Sequence, residues 1–369
     1  MDVHFNAYKA KYDTLNEYLK KITESQYVRT VNIFVNIDDV YHNLHRPLIN
    51  NEFQVAGQDA SKQLVSNSIN LLAHYKQWCA RQKIHARVFG IYTTRNRAFK
   101  NEVFIPGYRK KFITDTDPEN TKFYFINGAI RQALPIFKNI GDYIADIFVI
   151  DSRYLEPSII PGYLSQLPQF KNADWNFLIS RDPYDFQYAY RGGWTLVSPK
   201  GENTTIVNSG NLWHYMALRE SVYDEKHSYH PEFYDHNIYP LALAVAGNKF
   251  RSIPRLKRVG WKTIFQYLES CTADHTEFLS IVTSRFMDLL DKKRVPFNEI
   301  DDNLACVSVD RQIAAMNEID KVSINDQLKF VTDHEALSTI NDMYFSRFPL
   351  NIQFLVANWE NGNPFRKFS

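Results

Sequence analysis

Four β-rich runs set the frame for this chain. They are Thr30 to Ile37 (TVNIFVNI), His85 to Tyr92, Asp146 to Ile150 and Trp175 to Ser180. Between the first two, Leu64, Ile69, Leu72, Tyr75 and Trp78 recur at helical spacing, which predicts a helix from about Ser61 to Arg81. Strand, helix and strand at this spacing imply parallel pairing with right-handed crossovers. In open sheets of that kind, ligands gather outside the carboxyl ends of the strands. The acids at those ends are Asp38 and Asp39, Asp151 and Glu156, and Asp182 and Asp185. Trp194 to Ser198 and Asn203 to Val207 read as a short hairpin around Lys200-Gly201.

A second feature is chemical. Ala244 to Thr263 (AVAGNKFRSIPRLKRVGWKT) holds Lys249, Arg251, Arg255, Lys257, Arg258 and Lys262, and no carboxylate. Gly260 suits a tight turn, because it accepts positive φ at no steric cost. A helix starting near Trp261 would place its N-terminal dipole where an anion is favoured. A hairpin of this kind can grip a nucleic-acid backbone; the plain alternative is a basic loop between two helices. Residues 95–112 offer a similar mixture, with Arg95, Arg97, Lys100, Arg109, Lys110 and Lys111 interleaved by Phe99, Phe104 and Tyr108. Cations among aromatics suit a surface that tracks phosphates and stacks bases, although a solvated charged face has the same composition.

Composition narrows the class. The chain has 369 residues, 44% apolar and 23% charged, as in a soluble globular protein with a sizeable core. A net charge of +2 means that attraction to nucleic acid must come from clustered cations. Cys79, Cys271 and Cys306 are too widely spaced for a disulfide framework or a metal knuckle, and fit a reducing compartment. The N-terminus has no signal-peptide core and no run is long enough to span a membrane, so neither secretion nor a membrane partner is expected. Phe5, Tyr8, Tyr12, Leu15, Leu19 and Ile22 predict an amphipathic helix in residues 1–25. Helical patterns continue beyond Thr263 to about Lys292, and again from Arg311 to Phe345. Asp224, His227, His230, Asp235 and His236 have loose metal-like spacing, but Pro231 breaks the helix that would align them, so they read as polar loop residues.

The basic hairpin resembles the helix–three-turn–helix of the flap endonuclease and 5′-3′ exonuclease family. Ile253, Pro254, Leu256, Val259, Gly260, Lys262 and Thr263 fit that pattern, whereas its two acidic positions fall on Asn248 and Arg251. Lys100, Glu102, Pro106, Tyr108 and Arg109 resemble the segment that leads into the family's arch. The resemblance implies a PIN-like α/β fold with a parallel central sheet flanked by helices, then a helical C-terminal region. The implied divisions are residues 1–25 as an N-terminal helix, 26–235 as the α/β domain with an arch-like segment at 95–145, and 236–369 as the helical region carrying the hairpin at 244–263.

The family's metal site can be traced by position. Its first Asp falls on Asn36, or on Asp38 after a slip of two, and its second on Tyr92 and Thr93. Its acidic cluster falls on Glu156-Pro157-Ser158-Ile159 and keeps the Glu alone. Its Asp-x-Asp falls on Asp182-Pro183-Tyr184, with Asp185 a candidate replacement. Two-metal cleavage needs many carboxylates, because hard oxygen ligands must hold two divalent cations about 4 Å apart. This site has lost most of them, and Arg251 would put a cation where the family holds a metal.

The first expectation is therefore a catalytically degenerate relative that needs no cofactor. It binds DNA, as a branch or a single-strand–duplex junction, or a replication or transcription assembly, without cutting. Lys100, Arg109, Lys110, Lys249, Arg255, Lys257, Arg258, Gly260 and Lys262 would contact nucleic acid. The second is an active, divergent exonuclease using Asp38, Glu156, Asp182 and Asp185 with Mg²⁺ or Mn²⁺, the metal held by Glu156 and Asp182. The third is a structural subunit that docks through its N-terminal helix. Glu156 and Asp182 would otherwise be exposed strand-end acids that cap helices or pair with arginine. The family's small stand-alone members are common in bacteriophages, so a cytoplasmic protein, in the host if viral, is expected.

Overall fold

The computed structural model describes residues 27–37, 58–93, 101, 104–106, 135–136, 138, 140, 144, 146–200, 203–223, 229–248, 251–256, 259–271, 279–329, 335 and 339. The strands are β1 (Thr30–Asn36), β2 (His85–Tyr92), β3 (Ile147–Asp151), β4 (Trp175–Ile179), β5 (Trp194–Lys200) and β6 (Asn203–Val207). They form one six-stranded sheet in the order β3-β2-β1-β4-β5-β6. Every neighbouring pair is parallel except β5 and β6. The expected hairpin is thus the edge of the central sheet, joined through β5 to β4. The sheet is mixed, with its antiparallel pair at the rim.

Winding from β1 to β2 to β3 runs in one direction, and β4 then crosses to the other side of β1. Strand order reverses between β1 and β4, which opens a crevice at their carboxyl ends. Those ends carry Asn36 and the segment from Ser180 to Asp185.

The two sheet faces bury different side chains. On one, Val31, Ile33 and Val35 of β1 pack with Val65, Ile69 and Leu72 of helix α1 (Gln58–Arg81). On the other, Phe34, Phe89 and Phe148 lie in register across three strands, their rings stacked 4.8 and 4.9 Å apart. The ladder continues to Trp194 on β5, 5.6 Å from Phe34. A large share of the chain's aromatic residues is thus consumed in packing.

Helices α2 (Ile160–Leu164), α3 (Leu212–Arg219), α4 (Tyr239–Ala246), α5 (Trp261–Cys271) and α6 (Leu279–Lys292) add to the aromatic face or its periphery. So do α7 (Phe297–Val307), α8 (Val309–Ala314) and α9 (Glu318–Asn325). Helix α7 fills a stretch for which the sequence pattern shows no helix. Its core-facing position 303 is Asn, which breaks the apolar period, yet the side chain is satisfied by the Ala244 and Pro254 carbonyls at 2.7 and 3.0 Å. The expected helical pattern beyond Arg311 is interrupted before α9, where Asn317 and Asp320 form a reciprocal capping box. The expected N-terminal helix, residues 107–134 of the arch-like segment and most of the chain after residue 329 lie outside the described residues.

Candidate functional site

The carboxyl ends of β3 and β4 bring the surviving acids together. Glu156 precedes the short 3₁₀ turn Pro157–Ile159, and Asp182 precedes a second one, Pro183–Tyr188. Asp182 caps its turn by accepting from the Tyr184 backbone N–H at 3.0 Å. Into this corner reaches Arg251, from the loop between α4 and α5. Its Nη1 lies 2.6 Å from Glu156 Oε1, its Nε donates to Asp182 Oδ2 at 3.0 Å, and its Nη2 donates to Ser158 Oγ at 2.9 Å. Nη2 also bonds Asp182 Oδ2, and the guanidinium lies 3.9 Å from the centre of the Tyr184 ring.

The cluster is sealed. The side chains of Arg251 and Glu156 are 0% exposed and that of Asp182 is 7% exposed. These acids pair with arginine as expected, but they are not exposed, because the α4–α5 loop and the C-terminal helices cover them. Asp185 is buried beside them. Burial first, and then the Asp182 charge, push its carboxyl up to about 7, against the pull of Arg251 and of hydrogen bonds from Ser158 and Ser180.

This donor set does not fit a divalent metal. The guanidinium occupies the oxygens of Glu156 and Asp182 that a cation would need, and it brings its own positive charge. Among the described residues, no three acids, histidines or cysteines converge to hold an ion. At the position of the family's second Asp, Thr93 instead shares a buried hydrogen bond with Ser152 at 2.8 Å. Asp38 lies outside the described residues. Of the loose histidine cluster, Asp224 and His227 are also outside, while His230 pairs with Glu269 at 2.6 Å and Asp235 caps Asn237.

Beside the sealed cluster lies an open cleft of about 740 Å³. Its walls are the end of β4, the end of α3, the α4–α5 loop and the first turn of α5. Arg181, Arg219, Arg255 and Lys262 line it, against Asp182 and Glu220. Asp182 is already engaged by Arg251, and Glu220 lies 3.4 Å from Arg219 Nε. The first turn of α5 contains no acid.

Glycine has a different part here from the one expected. Positive φ belongs to Gly247, at +69°, and not to Gly260. A Cβ at Gly247 would sit 2.7 Å from the Arg255 backbone nitrogen, so the close return of the loop requires glycine. Gly260 instead makes room for a side chain: a Cβ there would lie 2.6 Å from Arg255 Nη2. The helix after it starts at Trp261, as the spacing predicts. Of the expected nucleic-acid contacts, Arg255, Gly260 and Lys262 meet at the cleft, whereas Lys100, Arg109, Lys110, Lys249, Lys257 and Arg258 lie outside the described residues. Arg181 and Arg219 escaped the sequence reading, because only the sheet topology brings them to the hairpin.

The chain matches no protein-family model and no curated protein. Solved structures do resemble it. One is a bacteriophage T5 flap endonuclease, described as a pseudo-enzyme–product complex with DNA and metal ions. It is 13% identical, covers 80% of this chain and 97% of its own, and has a TM-score of 0.50. A T5 protein co-crystallized with metal ions is 12% identical over 80% of this chain and 97% of its own, with a TM-score of 0.53. No described helix is long and apolar enough to cross a membrane. The sheet, the flanking helices and these likenesses together show that the chain has the PIN-like α/β fold seen in the flap endonucleases and 5′-exonucleases, at 12–13% sequence identity.

Proposed function

We propose that this protein is a catalytically degenerate relative of the flap endonucleases, which binds branched or junction DNA without cutting it. The observation that carries this reading is the Arg251 guanidinium seated between Glu156 and Asp182. A fixed cation there neutralises the acids that a nuclease would use for metal, and it offers neither a bound water nor an open coordination position. A parallel exists in the first T5 structure, where an Asp-to-Lys variant is described as a pseudo-enzyme. DNA in that complex, and the cationic cleft here, support nucleic acid as the partner. Arg255 and Lys262 supply phosphate contacts, with Lys249, Lys257 and Arg258 of the same hairpin adding to them. A replication or transcription assembly is the setting in which a binder of this kind would act.

The test is end-labelled 5′-flap DNA with the purified protein in Mg²⁺ and then Mn²⁺, resolved on native and denaturing gels. A shifted but intact substrate is the expected outcome. Cleavage that disappears in Asp182→Ala would overturn the reading and assign Glu156, Asp182, Asp185 and Asp38 to a working metal site. Intact, unshifted DNA at low salt would redirect the search to a protein partner.

A further inference from the structure

We infer that the cleft between β4 and the hairpin takes a nucleoside phosphomonoester, presented as the 5′-phosphorylated end of a DNA strand. The inference rests on the DNA-binding reading above and names the feature of DNA that the cleft selects. Three observations lead to it.

The first is charge. Arg181 comes from the β4 end, Arg219 from α3, Arg255 from the loop and Lys262 from α5, so the cations face the cleft from several walls. A phosphomonoester carries close to two negative charges at pH 7, whereas a backbone diester carries one. Convergent cations therefore favour the terminal group over the internal one.

The second is shape. A volume of about 740 Å³ falls in the range of small-ligand sites, so the cleft can enclose a strand end, whereas a duplex can only lie across its mouth.

The third is rigidity. Arg219 donates to the Arg181 carbonyl at 2.6 Å and lies over the Phe186 ring, while Arg255 packs against Gly260. Trp261 also lines the cleft, its ring stacked on buried Tyr239 at 6.2 Å, and it offers an aromatic surface to the terminal base.

The experiment compares two labelled single-strand–duplex junctions, identical except for a 5′-phosphate or a 5′-hydroxyl, by fluorescence anisotropy with the full chain. The phosphorylated junction should bind roughly tenfold tighter. The variant Arg181→Gln should erase that preference while still binding the hydroxyl form, with an unchanged unfolding midpoint. Competition with a nucleoside 5′-monophosphate should be weak, and with the nucleoside absent. Equal binding of the two junctions would overturn the inference and leave the DNA-binding reading intact. Binding of neither junction would overturn the DNA-binding reading itself. A monophosphate that binds as tightly as the phosphorylated junction would identify a free nucleotide as the ligand and overturn the strand-end assignment.

Discussion

Arg251 is the residue on which the acidic corner depends. Removing one partner of a buried ion pair leaves an uncompensated charge, which typically costs about 3–5 kcal/mol. Arg251→Met should therefore lower stability by about that amount in urea unfolding, because Glu156 and Asp182 lose their common cation. Adding Glu156→Gln and Asp182→Asn to that variant should recover part of the loss, since the stranded charges are then gone. Asp185 gives the same corner a pH dependence. Its carboxyl is raised from 3.8 to about 7, so the folded state holds a proton that the unfolded chain releases. The stabilisation is complete below about 4 and is lost as pH rises through about 7. Unfolding midpoints should fall between pH 5 and pH 8 in the parent, and Asp185→Asn should flatten that slope.

At the scale of the element, the α4–α5 hairpin serves two purposes through two glycines. Gly247→Ala combines a positive φ with a Cβ driven into backbone atoms, and should cost about 2 kcal/mol or more in stability. Gly260→Ala meets only the far end of the Arg255 side chain, so its stability cost should stay below about 1 kcal/mol. It should still weaken DNA binding in the gel assay, by displacing that guanidinium from the cleft. Binding by the parent should fall with salt at about one log-log slope unit per phosphate contacted, and replacing Arg255 and Lys262 by Glu should reduce the slope.

At the scale of the whole molecule, the C-terminal helices are part of the main core. Ile300, Cys306, Val307, Val309 and Ile324 belong to the same buried cluster as the Phe34 ladder. Polar side chains fasten them down. Gln327 accepts from the Asp151 N–H at 2.8 Å and donates to the Asp151 carbonyl at 2.9 Å, and Gln187 donates to the Val307 carbonyl at 2.7 Å. Ending the chain after Pro296 should abolish a single cooperative unfolding transition and expose apolar surface to a hydrophobic dye.

The strands, the long helix α1 and the start of α5 were legible in the sequence, because each rests on local periodicity or on turn chemistry that neighbouring residues dictate. The resemblance of the hairpin was legible too, since it lies in contiguous residues. Helix α7 was hidden by an Asn whose partners come from distant carbonyls. The burial of Glu156 and Asp182, the raised Asp185 and the meeting of Arg181 and Arg219 with the hairpin were decided by tertiary structure. Each depends on segments far apart in the chain, and on a sheet whose order reverses between β1 and β4. Residue types and spacing show which charges are available; only the packed fold determines which of them lose water and find each other.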